Sequence, residues 1–362
     1  MKNERIALIG CGRIGCLLEA DPLRNKPCTH WGGASAAGLP INYACDINEE
    51  RLRRFSEMAG IPPQHRFSSY ETLITEVRPS MVIVSTWTDT HAAIGITAAR
   101  HGAKVIVCEK PVAGNLADAR ALCAECEKHG AALIVNHERR YDGRYRAVKK
   151  MIDSGAIGVI KTVHASVLTS GFHGESKAAA GGGPLLHDGT HLIDIVRFFF
   201  GDITSVQGEF HREDRKKGFE DRATAWMTAR GGIDVFIEAG GNRNYFVFEL
   251  GISGTLGKIV IGNGYELLYR TEKSRHYTGF RDLSLKKFPP YSRRSCFTTE
   301  YIEAKKLLRG TPAAITSGGH DGYRALEAIH AIYLSASLHR KIIELPVNPD
   351  TIDIQGIFGL TQ

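Results

Sequence analysis

The chain of 362 residues has little of what marks several protein classes. Its eight cysteines fall far below the density of a disulfide scaffold and are expected to be thiols. No apolar run can cross a bilayer, because the longest, at 193–200, is broken by Asp194 and Arg197. Met1-Lys2-Asn3-Glu4-Arg5 is not followed by an apolar stretch ending in a small-residue cleavage site, so a cytoplasmic rather than a secreted protein is expected. Repeats, low-complexity tracts and nucleic-acid module motifs are lacking as well. The net charge of +7 is modest; it fits an anionic small ligand and is poor evidence for nucleic acid. What the chain does have is core material. Hydrophobic residues make up 43% and charged ones 23%, and the length suits about two domains.

The first 140 residues alternate strand and helix patterns. Short apolar runs at 5–9, 41–45, 81–85, 105–108 and 133–135 are separated by helical patterns such as 89–101 and 115–129. Strand–helix–strand in this rhythm implies parallel pairing, since each crossover needs a helix to return the chain. After about residue 141 the texture changes. A helix at 145–154 leads into β-type segments at 160–168, 203–211, 223–228, 233–239, 245–252, 257–261 and 265–271. Helices return at 298–308 and 321–338. Several of these strands alternate apolar and polar residues, as a sheet with one solvated face would. The expected fold class is α/β: a doubly wound parallel sheet over 1–142, followed by an α+β domain with a mostly antiparallel sheet over 143–362.

Gly10-x-Gly12-x-x-Gly15 closes the first strand and opens a helix. The first glycine permits a tight turn, the second lets backbone approach a pyrophosphate and the third lets helix and strand pack closely. The helix N-terminus adds donors and positive potential. Arg13 and Ile14 lie within this loop. The second strand ends in Asp46, whose carboxylate can accept from both ribose hydroxyls and would repel a 2′-phosphate, favouring NAD over NADP. The plain alternative is that Asp46 caps the helix starting near Asn48.

The spacing is unusual. Asp46 lies 31 residues past Gly15, whereas the dinucleotide fingerprint expects about 20. Segment 18–29 contains Asp21-Pro22 and Lys26-Pro27, which a helix interior does not tolerate, and removing its twelve residues restores a spacing of 19. Two readings stand side by side. In one, an excursion interrupts the first crossover helix, which resumes near His30-Trp31 beside the cofactor; in the other, a surface loop separates helix from second strand.

Two further signals concern chemistry. Cys108-Glu109-Lys110-Pro111 stands at the carboxyl end of a parallel strand, where open α/β sheets bind ligands. A lysine there can stabilise a developing alkoxide, and Pro111 would start the next helix. Gly181-Gly182-Gly183-Pro184 then feeds a helix on which His187, His191 and Asp194, spaced by four and three, share a face. An imidazole on that face is a workable proton acceptor. The pair lacks the glutamate of His-Glu-x-x-His, and no metal is expected.

The ordered set resembles the glucose–fructose oxidoreductase/inositol dehydrogenase (Gfo/Idh/MocA) family. It comprises the glycine loop, Asp46, Ser85-Thr86-Trp87-Thr88-Asp89-Thr90-His91, Glu109-Lys110-Pro111 and the helix through His191-Leu192-Ile193-Asp194. Asn136-His137-Glu138-Arg139-Arg140-Tyr141 is similar to that family's domain junction, and the segment from Asp321 is similar to its C-terminal helix. The resemblance implies an NAD(P)-dependent oxidoreductase acting on a sugar, inositol or related polyol. It also implies a Rossmann domain and a second domain whose open sheet builds the substrate site and an oligomer interface, in a dimer or tetramer. Position by position, Lys110 matches the lysine that polarises the reacting oxygen and His191 the proton acceptor or donor. Thr86, Trp87, Thr88 and His91 match the loop along the nicotinamide half, and Glu109 the acid beside its ribose. Where the family carries aspartate four residues before the helix histidine, this chain has His187, with Asp188 next to it. On a helix adjacent residues diverge by roughly 100°, so Asp188 cannot simply take that place, and His187 is added to the candidate catalytic set.

Smaller signals carry less. Cys123 and Cys126 lie within one helix and are expected to pack. Basic clusters at 212–217 and at Arg281, Lys286, Lys287, Arg293 and Arg294 would favour an anionic substrate only if they converged on the cleft. The contrasting functions are a catalytically silent NAD-sensing regulatory or scaffold protein, and a lyase, epimerase or glycosidase with internally cycled NAD. Presence of both Lys110 and His191 argues for chemistry, since a sensor needs only the glycine loop and Asp46.

Overall fold

The structure, a computed structural model, describes residues 4–169, 183–213, 218–349, 352 and 354–359. The chain divides into two compact units, one of residues 1–142 with 293–323 and one of residues 143–292 with 324–362.

The first unit holds a six-stranded sheet of β1 (Ile6–Ile9), β2 (Tyr43–Cys45), β3 (Arg66–Phe67), β4 (Met81–Val84), β5 (Val105–Cys108) and β6 (Ala132–Val135) in the order β3-β2-β1-β4-β5-β6. Every pair is parallel. β1, β4 and β5 are buried at each position because the crossover helices cover both faces, and this is why they read as unbroken apolar runs. The crossovers are α1 (His30–Ala36), α2 (Glu49–Ala59), α3 (Tyr70–Val77), α4 (Thr88–Arg100) and α5 (Leu116–His129). Asn48, Ser69 and Asn115 cap three of them by accepting from the amide three residues on. Strand order reverses between β1 and β4, and ligands of such sheets bind outside the strand ends there.

The second unit carries α6 (Gly143–Asp153), α7 (Pro184–His187) and α8 (Gly189–Phe200) together with a nine-stranded sheet. Its strands include β7 (Ile160–Leu168), β8 (Ile203–His211), β9 (Arg222–Ala229), β10 (Ile233–Gly240), β11 (Val247–Gly254), β12 (Gly257–Gly262), β13 (Tyr265–Lys273) and β14 (Arg281–Lys286). With the short β15 (Ile343–Glu344), the order is β14-β13-β12-β11-β7-β10-β9-β8-β15. Pairing is antiparallel except for β7 with β10, where Val163 faces Val235. Ala223, Ala225, Met227 and Ala229 of β9 point into the core, whereas Trp226 faces out beside Phe236.

The expected second domain, 143–362, is not one stretch. Residues 293–323 return to the first unit, where α9 (Cys296–Leu308) packs on α1. Gly33 lets them touch: a Cβ there would lie 2.7 Å from Cβ of Phe297, and Phe297, Tyr301, Ala304 and Leu308 complete the core. A long-range packing partner of this kind leaves no local trace in sequence. Helix α10 (Gly319–Ser337) runs through the boundary at 323/324. β14 is an edge strand with no fully buried position, so its sequence lacks the apolar signature of the other strands.

Candidate active site

The candidate residues fall into two groups, one on each unit. In the first unit the three glycines divide their duties. Gly10 ends β1 at φ +97°, and a Cβ there would lie 2.5 Å from the Ser85 carbonyl oxygen. The Ser85 hydroxyl donates to the Gly10 carbonyl at 2.7 Å. A Cβ on Gly15 would run into the same Gly10 carbonyl. At Gly12 no described atom lies within 4 Å of a Cβ position, so this side of the loop is open. The open position is the one whose backbone a pyrophosphate must approach. Arg13 is exposed at the tip and Ile14 packs on the core.

The excursion interrupts the first crossover helix rather than following it as a surface loop. The first turn after the loop is made by Cys16 N donating to Gly12 O at 3.1 Å and Leu18 N to Arg13 O at 2.9 Å. The next helical bonds come from beyond the excursion: His30 N to Ile14 O at 3.1 Å and Trp31 N to Gly15 O at 3.0 Å. The helix is therefore spliced, with His30 standing where an uninterrupted chain would place residue 18. Glu19 closes the excursion by accepting from Cys28 N at 3.1 Å and from the Thr29 hydroxyl at 2.7 Å. Thr29 Oγ1 in turn caps α1 at Gly32 N.

Asp46 follows β2 and is buried. Its Oδ2 accepts from Cys11 N at 2.7 Å and its Oδ1 from Asn48 N at 2.8 Å. The cap of α2 is Asn48, so the capping alternative for Asp46 falls. The carboxylate is instead tied to the glycine loop, and the second lone pair on each oxygen remains for a ligand.

Thr86, Trp87 and Thr88 lead from β4 into α4. The Thr90 hydroxyl donates to Thr86 Oγ1 and is also within 2.7 Å of Trp87 O, and the Trp87 side chain is about half exposed. His91 turns inward. Its Nδ1 is 2.8 Å from Pro111 O and its Nε2 3.2 Å from Thr86 O, and burial holds its pKa below the usual histidine value. It ties the Thr86 loop to the Pro111 loop. Pro111 does not start a helix; it lies in the connection ahead of the Asn115 cap of α5.

Glu109 is hydrogen-bonded through its backbone and through both carboxyl oxygens. Its backbone N donates to Val84 O, and its Oε2 accepts from Lys110 N at 3.2 Å. Its Oε1 accepts from Asn136 Nδ2 at 2.5 Å and meets His30 Nε2 at 2.9 Å. Burial alone would raise this carboxyl. The bond and charge of His30, the Lys110 ammonium and the Asn136 amide outweigh burial and bring the pKa down to about 2. Behind it, Glu300 on α9 is fully buried with neither carboxyl oxygen hydrogen-bonded. Burial, with Glu109, Glu138 and Glu303 nearby, keeps it protonated well above the usual carboxylate range. Lys110 itself is half-buried.

In the second unit the histidine helix is not continuous. α7 stops at His187, Asp188 occupies the N-cap position of α8 without a side-chain cap bond, and His191 N bonds back to Asp188 O at 3.2 Å. Asp188, the single residue between the two helices, keeps a right-handed helical backbone at φ −101° and ψ −36°. His187 is half-buried, with Nδ1 3.2 Å from Asp188 Oδ1; His191 is half-buried and Asp194 buried. The start of α7 rests on Glu220. Its Oε1 accepts from Leu185 N at 2.7 Å and its Oε2 from the Tyr333 hydroxyl at 3.0 Å, and burial pushes its pKa up to about 7. Gly181 and Gly182 lie outside the described residues, as do 214–217 of the first basic cluster. Arg212 stacks on Phe210 and Phe358, and Lys286 pairs with Glu272 on the β14 edge, which gives these cations structural partners. Cys123 and Cys126 are thiols held protonated by burial, at about 11 and about 12.

Sequence reasoning missed His30, Tyr301, Asn136 and Glu220 as parts of these networks. Only the over-long spacing from Gly15 to Asp46 and the two prolines ahead of His30 could have pointed to one of them.

Residues 4–137 match the oxidoreductase family with NAD-binding Rossmann fold, and residues 145–260 match the GFO/IDH/MocA C-terminal domain. A D-apiose dehydrogenase of Paraburkholderia graminis is 28% identical over 360 residues, covering 94% of this chain and 90% of that protein. A myo-inositol 2-dehydrogenase of Thermotoga maritima is 25% identical over 334 residues, covering 89% and 93%. Among solved structures, the WlbA dehydrogenase of Bordetella pertussis in complex with NADH and UDP-GlcNAcA shares the fold. It has a TM-score of 0.76 at 23% identity, covering 95% of this chain and 99% of that one. A levoglucosan dehydrogenase in complex with NADH and L-sorbose has a TM-score of 0.76 at 20% identity, covering 96% and 100%. With a glycine loop open only at Gly12, an acid clasped to that loop and two domain matches in register with both units, the chain belongs to the Gfo/Idh/MocA family of oxidoreductases.

Proposed function

We propose that the protein is an NAD-dependent dehydrogenase or reductase that moves a hydride to or from a hydroxyl- or keto-bearing carbon of a sugar, inositol or related polyol. The observation that carries this reading is the cradle of Gly12 and Asp46: open backbone beside a carboxylate fixed by two amides. The dinucleotide pyrophosphate would lie along Gly10, Gly12, Arg13, Ile14 and Gly15, and the adenosine ribose would meet Asp46. Thr86, Trp87 and Thr88, with His91 behind them, and Glu109 with Lys110 would line the nicotinamide half. The negative charge on Asp46 favours NAD over NADP. When bound, the nicotinamide ring supplies the hydride acceptor for oxidation or the donor for reduction.

Lys110 holds the reacting oxygen and steadies the alkoxide with its ammonium. His191 takes the hydroxyl proton, with His187 the second candidate because it holds the family's aspartate position. Dehydrogenation by relatives named for apiose and inositol supports a carbohydrate-like substrate. No helix among the described residues is long and apolar enough to cross a membrane. The described cysteines are all free, as a cytoplasmic protein's would be. Trp226, Leu283 and Leu285, exposed on the sheet of the second unit, support assembly into a homo-oligomer. The test is a screen of sugars, inositols and their acidic derivatives read by NADH absorbance. Turnover on none of them, by a protein that binds NADH, would refute the enzymatic reading.

A further inference from the structure

The excursion at 18–29 leads straight into a buried side chain. His30 is fully buried, its Nδ1 is 2.7 Å from the Tyr301 hydroxyl and its Nε2 is 2.9 Å from Glu109 Oε1. An ionised carboxylate only accepts, so Nε2 carries the proton shared with Glu109, while Nδ1 makes the ring's second hydrogen bond, to the Tyr301 hydroxyl. Tyr301 sits on α9, edge-on to the imidazole, and Phe297 packs edge-on against the same ring at 5.5 Å between centroids. The ring is thus held from three sides, and Glu109 is held by it. The sheet order assigns Glu109 a place. Asp46 ends the strand on one side of β1, and Glu109 follows β5, two strands away on the other. A dinucleotide lying across the strand ends with its adenosine on Asp46 would reach toward Glu109 with its nicotinamide ribose.

We infer that His30 and Tyr301 are positioning residues that hold Glu109 to receive the nicotinamide-side ribose, and that the spliced excursion keeps His30 in the register this requires. The inference rests on the cofactor reading above. Neither residue touches the cofactor; both act through Glu109.

The test compares NADH with ADP, which lacks the nicotinamide ribose, in titrations of the full chain. In His30→Phe, NADH binding weakens about 10-fold or more, the effect of losing a hydrogen bond to a charged group, while ADP binding stays within about 2-fold. His30→Gln, whose amide nitrogen stands near the place of Nε2, restores most of the NADH affinity. Tyr301→Phe, which removes one oxygen atom and leaves the ring packing, weakens NADH alone by a smaller factor and serves if His30→Phe does not fold. Parallel loss of NADH and ADP affinity in the folded variants, or none in either, would overturn the positioning role. Failure of the unsubstituted protein to bind NADH at all would instead sink the cofactor reading itself.

Discussion

Alanine at each of the three loop glycines separates folding from binding. At Gly10, alanine must adopt φ +97° and place its methyl group 2.5 Å from a backbone oxygen. The left-handed conformation costs about 1–2 kcal/mol and the overpacking about 1–3 kcal/mol more. At roughly 2–4 °C per kcal/mol for a unit of this size, Gly10→Ala should melt about 5–15 °C lower. Gly15→Ala should fall comparably, because its methyl group meets the Gly10 carbonyl and neither backbone segment can move alone. Gly12→Ala meets nothing and has no left-handed φ to satisfy, so its melting temperature should stay within about 2 °C of the unsubstituted protein or rise slightly. Its methyl group nevertheless fills the space a pyrophosphate needs, and NADH should bind about 10-fold or more weakly. Thermal unfolding of all three variants, with NADH titration of Gly12→Ala, reads both effects. The reasoning fails if Gly12→Ala unfolds like Gly10→Ala, or if it binds NADH as tightly as the unsubstituted chain.

Other outcomes follow from the same networks. Lys110→Ala should keep NADH affinity nearly unchanged and lower turnover by about two orders of magnitude or more, as loss of an alkoxide-stabilising group does; steady-state rates set against direct titration decide it. Asp46→Ala should relax discrimination against NADP, read as the ratio of the two cofactor affinities. Glu220 is neutral in the folded protein up to about pH 7 and ionises near 4.5 when unfolded. The native state therefore holds the extra proton between these values, and stability falls as pH rises through that window, by about 3 kcal/mol in all. Glu220→Gln keeps acceptor and shape but removes that slope, so urea midpoints of the two proteins at pH 5 and pH 8 should converge at the lower pH and diverge at the higher. Glu300→Leu removes a buried carboxyl with no hydrogen bond and should raise the melting temperature, most visibly at alkaline pH.

Much of the molecule could be read from its residues in order. The strands β1, β4, β5 and β6 announce themselves as short apolar runs because a parallel sheet is buried on both faces. The long sheet of the second unit announces itself through alternation, because one face is covered by helices. Gly10, Gly12, Gly15, Asp46 and the Glu109-Lys110 pair are local motifs, since each depends on backbone conformation or on position at a strand end. Even the excursion was visible, as two prolines and a spacing too long by a dozen residues. Tertiary structure alone decided where the excursion reconnects, because the bonds from His30 and Trp31 to Ile14 and Gly15 join residues whose partnership no local pattern encodes. It alone returned α9 to the first unit, made Tyr301 and Phe297 the support of His30, and broke the histidine helix at Asp188. Local conformation follows from neighbouring residues and is legible in sequence; long-range packing joins residues hundreds of positions apart, and only the folded chain brings them together.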